Sequence, residues 1–236
     1  MSPPPKTAIL TAHGQPSAPA PPEEALARTA AEVASLLPGW EIRSATLATP
    51  GRLEDVMQEG AVIYPFFMAR GWFTAKVLPG RLAGRSYRMA VPFGLSEGLP
   101  LLVEQAVKAA AEDRGWALVG TWLLLAAHGS ARGPKAAEAA ESFASRLRPL
   151  LPGCALSLGY VEQDPTIKDA ARPLPARTLC LPFFAQAGDH VQTDIPEALK
   201  AAGFQGAVMP VTGALPGVPA LIAAAIRAAA GAPPAE

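Results

Sequence analysis

From Lys6 onward the chain alternates two kinds of segment. Short runs of consecutive apolar residues, bounded by glycine or proline, are separated by longer stretches whose apolar positions recur at helical spacing. A short unbroken apolar run fits a strand buried on both faces, whereas recurrence every three or four residues fits a helix with one face on a core. In the second part of the chain this pattern predicts strands at 118–127, 154–161, 176–183 and 206–211. A helix is expected over 134–150, with Pro134 near its start and Ala137, Ala140, Phe143, Ala144 and Leu147 on one face. A second follows 194, where Asp194 and Glu197 read as an acidic N-cap with glutamate three residues on. The last runs from about 217 to 230. The first part gives the same β-α-β-α-β-α-β-α order.

The two parts also share sequence. Ala8-Ile-Leu-Thr-Ala-His-Gly14 resembles Leu123-Leu-Leu-Ala-Ala-His-Gly129, Leu37-Pro-Gly-Trp40 recurs as Leu151-Pro-Gly-Cys154, and Pro65-Phe-Phe67 recurs as Pro182-Phe-Phe184. Pro92 to Ala110 likewise resembles Pro210 to Ala228. The shift is 114 from residue 37 to 151 and 118 from 92 to 210, a drift that loop insertions produce. Four matches in one order indicate a tandem duplication. Its boundary falls between 113 and 119, giving halves 1–115 and 116–236. Strands alternating with helices imply parallel sheets with right-handed crossovers. The expected fold is therefore α/β, with two similar doubly wound, flavodoxin-like lobes. In such sheets ligands bind outside the carboxyl ends of the strands.

Composition narrows the function classes. Of 236 residues, 50% are hydrophobic and 17% charged, which excludes a disordered, collagenous or coiled-coil chain. Lys and Arg number 20, as do Asp and Glu, and a pI near 6.8 gives no general attraction to nucleic acid or anionic membrane. Two cysteines, Cys154 and Cys180, make neither a disulfide framework nor a Cys-based zinc site, and their apolar surroundings predict reduced, buried thiols. The N-terminus lacks a signal peptide's apolar run. The apolar stretch Trp116 to Ala127 is too short to span a bilayer, and the C-terminal one is interrupted by Pro216, Gly217, Pro219 and Arg227. A soluble cytoplasmic protein is expected, with no nucleic-acid or membrane partner. The oligomeric state is left open.

His13 and His128 each end the first strand of their half and precede glycine, while His190 follows the third strand of the second half. Glu162 follows the second strand, in Tyr160-Val-Glu162. Two imidazoles and one carboxylate converging from three strand ends form a recurring set for a divalent metal. Unrelated polar residues on three loops are the alternative. By the repeat, Glu162 corresponds to Leu47 and His190 to Phe73, so His13 alone persists in the first half. This implies one active site, in the second half, with the first half as lid and scaffold.

The segments Leu123-Leu-Leu-Ala-Ala-His-Gly-Ser130, Tyr160-Val-Glu162 and Pro182-Phe-Phe-Ala-Gln-Ala-Gly-Asp-His-Val-Gln-Thr-Asp-Ile-Pro196 resemble the CbiX-type class II chelatases. The resemblance spans both halves, as in two-lobed members, and is strongest over 121–200. It implies ATP-independent insertion of Co²⁺, or next Fe²⁺, into sirohydrochlorin, with the metal as substrate and no nucleotide. It makes His128 and His190 the metal-binding histidines, and Glu162 the acidic residue beside them. Many long members carry the set in their first lobe, whereas here the second carries it. Under this reading His128 and His190 hold a partly hydrated ion and release it to the ring nitrogens. Glu162 or one of the histidines accepts the pyrrole protons, and activity falls on acidification. An octacarboxylate substrate calls for cations and hydrogen-bond donors, for which Ser130, Arg132, Lys135 and Arg70 are candidates, with Lys168 near Glu162. Each of these cations also reads as a plain surface charge, and Ser130 as a helix cap.

Two rivals share these features. A histidine phosphatase would carry Arg before His-Gly, where this chain has Ala127 and Ala12. A non-enzymatic metal or tetrapyrrole carrier would bind in the same cleft without turnover. Neither a P-loop nor a dinucleotide fingerprint follows a first strand.

Overall fold

A computed structural model describes residues 6–130 and 134–231. Eight strands form two four-stranded sheets. The first contains β1 (Lys6–Ala12), β2 (Trp40–Thr46), β3 (Ala61–Pro65) and β4 (Tyr87–Met89), in the order β2-β1-β3-β4. The second contains β5 (Trp122–Ala127), β6 (Ala155–Tyr160), β7 (Thr178–Pro182) and β8 (Ala207–Val208), in the order β6-β5-β7-β8. Every pairing is parallel. Among the described residues the α-helices are α1 (Ala20–Ser35), α2 (Arg52–Val56), α3 (Leu78–Arg81), α4 (Leu99–Glu112), α5 (Lys135–Leu147), α6 (Ile167–Ala171), α7 (Ile195–Ala202) and α8 (Val218–Ala230). The expected α/β fold with two similar parallel-sheet lobes is therefore present.

Two expected strands are shorter than their apolar runs. The first of the second half starts at Trp122, because Thr121 N–H closes a turn onto Leu118 O around Gly120 at φ +80°. The last ends at Val208: Met209 N–H still donates to Cys180 O at 2.8 Å, but the next acceptor on β7, Pro182 O, takes the Thr212 hydroxyl at 2.9 Å.

Side-chain alternation sorts each sheet into two faces. On one face of the second sheet Leu124, Ala126 and Cys180 pack against Ile167, Ala170 and Ala171 of α6 and Ile195 and Leu199 of α7. In the first sheet Ile9, Ala45 and Ile63 pack in the same manner against Leu53 and Val56 of α2 and Leu78 of α3. Both thiols are free and buried, as expected. Burial pushes the Cys180 thiol up to about 12 and that of Cys154 to about 11, which removes both as thiolate donors near neutral pH.

The compact units are not the two halves 1–115 and 116–236. One comprises Met1–Ser96 with Gly217–Glu236, the other Glu97–Pro216. Helix α4 closes the first half in sequence but packs with α5 and on β7. Helix α8 closes the second half but packs with α1 and on β3 and β4. The repeat halves at 115/116 and the compact units thus divide the chain differently: the last helix of each half lies with the other half's sheet. Duplication supplies the physical reason. Two copies of one sheet-and-helix contact are interchangeable, so the exchange leaves each sheet covered on both faces.

Ile226 of α8 has no exposed surface. Ile226→Ala should cost about 2–5 kcal/mol in urea unfolding. Amide exchange should loosen in β1–β4 rather than β5–β8, although residue 226 lies at the end of the second half.

Candidate metal centre

Three loops at the carboxyl ends of β5, β6 and β7 build the site. Leu124 and Ala126 face α6 and α7, so the period of two sends His128, just past the strand, to the same side. The β5–β6 ladder continues beyond both strands: Val161 N–H donates to Ala127 O at 3.0 Å and Glu162 N–H to His128 O at 3.0 Å. Glu162 is thereby held beside the histidine. The loop then folds back, with Tyr160 N–H on Pro165 O at 3.0 Å.

His190 arrives on a different device. Residues 190–194 form one turn of π-helix, and Ile195 N–H donates to His190 O, five residues back. Pro196 follows, with no N–H of its own. The first unit has the same construction at 73–77, with Leu78 N–H on Phe73 O and Pro79 next. Asp194 does not cap α7 as the sequence pattern suggested. The helical turn already begins at His190, and no side-chain cap bond forms at Asp194. Its Oδ2 instead accepts from Nδ1 of His190 at 2.5 Å. Sequence reasoning missed this contact, although the i,i+4 spacing of the two residues could have signalled it.

One donor atom from each of His128, Glu162 and His190 lies within 4.8 Å of the others, and the described residues contain no other such group of three. The imidazoles meet edge to face, with centroids 4.7 Å apart and an interplanar angle of 84°. Each side chain is roughly two-fifths exposed. Nδ1 of His128 lies 2.8 Å from Gly129 O and 3.7 Å from Glu162 Oε2. A carbonyl oxygen can only accept, so Nδ1 carries a proton, and in the neutral ring Nε2 then keeps its lone pair; the carboxylate partner assigns His190 likewise. Two neutral imidazoles and a carboxylate suit a first-row dication. Two donors on one tetrahedral ion with bonds of about 2.1 Å stand roughly 3.4 Å apart, so the present span is open and needs small side-chain shifts to close. Three protein ligands also leave positions for water or another ligand.

A cavity of about 610 Å³ adjoins this group between α6 and α7. Glu162, His190, Asp194, Glu197, Lys168 and Tyr160 are among its lining residues. The Tyr160 phenol is pushed up to about 12, first by burial and then by Glu141, whose Oε1 accepts from it at 3.4 Å. It is therefore a neutral wall and not a ligand.

The other candidates are dispersed. Ser130 is half-buried, its N–H donates to Gln163 Oε1 at 2.9 Å, and α5 starts too far on for Ser130 to cap it. Lys135 is the first residue of α5 and exposed. Arg132 lies outside the described residues. Arg70 is exposed in the loop after β3 of the first unit.

In the first unit, Phe73 begins the π-turn as His190 does in the second and packs on His13 with centroids 4.2 Å apart. One register is corrected. Ala48 N–H donates to His13 O, as Glu162 N–H does to His128 O, so Ala48 and not Leu47 is the counterpart of Glu162. The residue is apolar either way, and the first unit lacks the donor set among its described residues.

A family described as CbiX matches residues 122–230. The structure of CbiX, described as the terminal enzyme for biosynthesis of siroheme in denitrifying bacteria, is 47% identical. It superposes with a TM-score of 0.86 over 95% of this chain and 99% of that one. SirB from Bacillus subtilis with Fe³⁺ is 18% identical with a TM-score of 0.71, covering 96% of each chain. The sirohydrochlorin chelatase SirB from Bacillus subtilis subspecies spizizenii, in complex with cobalt, is 14% identical with a TM-score of 0.63, covering 95% of each. At these identities the two SirB chains share the fold. Among curated proteins none matches.

Fold and site together define a two-lobed α/β chelatase. The chain belongs to the CbiX family.

Gly129 follows His128 at φ +66°, and a Cβ there would stand 2.6 Å from Gln163 Cγ. Gly129→Ala should cost about 1–2 kcal/mol from the left-handed backbone alone. Displacing the carbonyl that orients His128 should also weaken Co²⁺ binding, as measured by equilibrium dialysis.

Proposed function

We propose that this chain inserts a divalent metal ion, Co²⁺ or Fe²⁺, into sirohydrochlorin without ATP. The observation that carries the proposal is the His128–Glu162–His190 group at one sheet's carboxyl edge, in a chain 47% identical to CbiX. Insertion requires a dication to be gripped and then surrendered. His128 and His190 grip through Nε2, the nitrogen left free by the bonds to Gly129 O and Asp194. Being incomplete as a ligand set, they can yield their places one at a time to ring nitrogens. Glu162, roughly two-fifths exposed and 3.7 Å from His128, is the group best placed to accept pyrrole protons and pass them to solvent. Imidazole and carboxylate donors suit both metals, and supply decides between them.

Ser130, Arg132 and Lys135 of the second unit are assigned to the substrate's carboxylates, with Lys168, which lines the cavity beside the metal group. Among the described residues no helix is long and apolar enough to cross a membrane. We assign the protein to the cytoplasm, acting on a tetrapyrrole partner without nucleotide.

The test is metal insertion into sirohydrochlorin followed by absorbance with Co²⁺ and with Fe²⁺. Residues that support metal ligands typically contribute about 10- to 100-fold in metal affinity or activity, so His128→Ala and His190→Ala should each lose about 100-fold or more. Glu162→Gln should lose about 100-fold through the missing base, whereas His13→Ala should stay near wild type. Metal and tetrapyrrole binding without turnover would instead identify a carrier, and equal activity in all variants would end the assignment.

A further inference from the structure

We infer that Asp194 is a positioning residue for the metal centre, acting through His190. This rests on the metal-binding reading of His190 and deepens it. Three observations converge. The first is the contact: Asp194 Oδ2 lies 2.5 Å from Nδ1 of His190, and no side-chain cap bond forms at the start of α7. The second is the register. The π-turn sets His190 and Asp194 at its first and fifth positions, so their side chains are stacked along one face. The third comes from the duplication. In the first unit the π-turn over Phe73–Val77 has Phe at the histidine's position and Val at the aspartate's. Where the ligand is replaced by a hydrocarbon, its carboxylate partner is as well, as expected if the carboxylate serves the histidine rather than the helix.

Asp194 is not part of the donor group formed by His128, Glu162 and His190. Its carboxylate fixes the proton on Nδ1, leaves the lone pair on Nε2 and restrains rotation of the ring. His128 has a neutral carbonyl in the corresponding role, and that carbonyl belongs to its own neighbour, Gly129. The two ligands are thus held unequally, with His190 braced by a charged partner. A carboxylate behind an imidazole ligand also raises its donor strength. His190 is therefore the ligand that keeps the ion while His128 is exchanged.

Co²⁺ binding to the full-length protein, read from its visible absorption bands and by equilibrium dialysis, tests this without tetrapyrrole. Asp194→Ala should weaken Co²⁺ binding about 10- to 100-fold. Asp194→Asn keeps an acceptor oxygen and should recover part of that loss. The double variant Asp194→Ala/His190→Ala should bind no more weakly than His190→Ala alone, because the aspartate acts only through that ring. Thermal unfolding without metal should be nearly the same in Asp194→Ala and wild type. Wild-type Co²⁺ affinity in Asp194→Ala, or losses that add fully in the double variant, would overturn the inference. Failure of metal insertion with these binding results intact would count against the chelatase reading and leave the role of Asp194 standing.

Discussion

The backbone ladder at the end of β5 is the constraint on which the site depends. Ala126 O, Ala127 O and His128 O accept from Phe183, Val161 and Glu162 N–H at 2.8 to 3.0 Å. These bonds continue the register of buried parallel strands past their ends. Glu162 is consequently positioned by the sheet, and His128 by the alternation that buries Leu124 and Ala126 beneath it. A donor group built in this manner inherits the stiffness of a core, since slipping one strand by a residue would turn every buried side chain to the opposite face. Only His190 stands outside the ladder, and a separate device holds it.

Much of this was legible in the sequence. Apolar runs without polar alternation marked strands buried on both faces, and their alternation with helical periodicity fixed parallel sheets. The histidine at the end of β5 and the carboxylate at the end of β6 followed from the rule that ligands gather at carboxyl edges. What escaped has several causes. Asp194 satisfies the local rule for an N-cap, yet the wider π-turn before Pro196 had already started the helix, and Nδ1 of His190 took the carboxylate. Ala48 displaced Leu47 as the counterpart of Glu162, because register is set by hydrogen bonds and not by a constant sequence offset. The exchange of α4 and α8 was invisible for a different reason. Each has the same buried face whichever copy of the sheet it covers, so no pattern in its own residues names the partner.

The duplication has left the two copies chemically unlike. The second keeps imidazole, carboxylate and imidazole beside a cavity, while the first has filled the corresponding positions with Ala48 and Phe73 and packed the Phe73 ring on His13. The backbone framework, including the π-turn and the proline after it, persists in both. The sequence can therefore discard the chemistry without discarding the fold, because the strands and the π-turn are held by main-chain bonds and buried hydrocarbon.

Such independence bears on how a chelatase has to be built. A structural zinc site is closed by four ligands and gains stability by never opening. A site that must give its ion away cannot use that solution, since every added ligand that strengthens the grip also has to be broken during transfer. Here three donors span 4.8 Å and each is roughly two-fifths exposed; His128 and Glu162 stand on loops whose backbone is fixed by the sheet, and His190 on the π-turn. Rigidity resides in the scaffold and openness in the ligand set. On the proposed reading the sheet supplies a fixed place to which the ion comes, and the unequal bracing of His128 by Gly129 O and of His190 by Asp194 sets an order in which to let go.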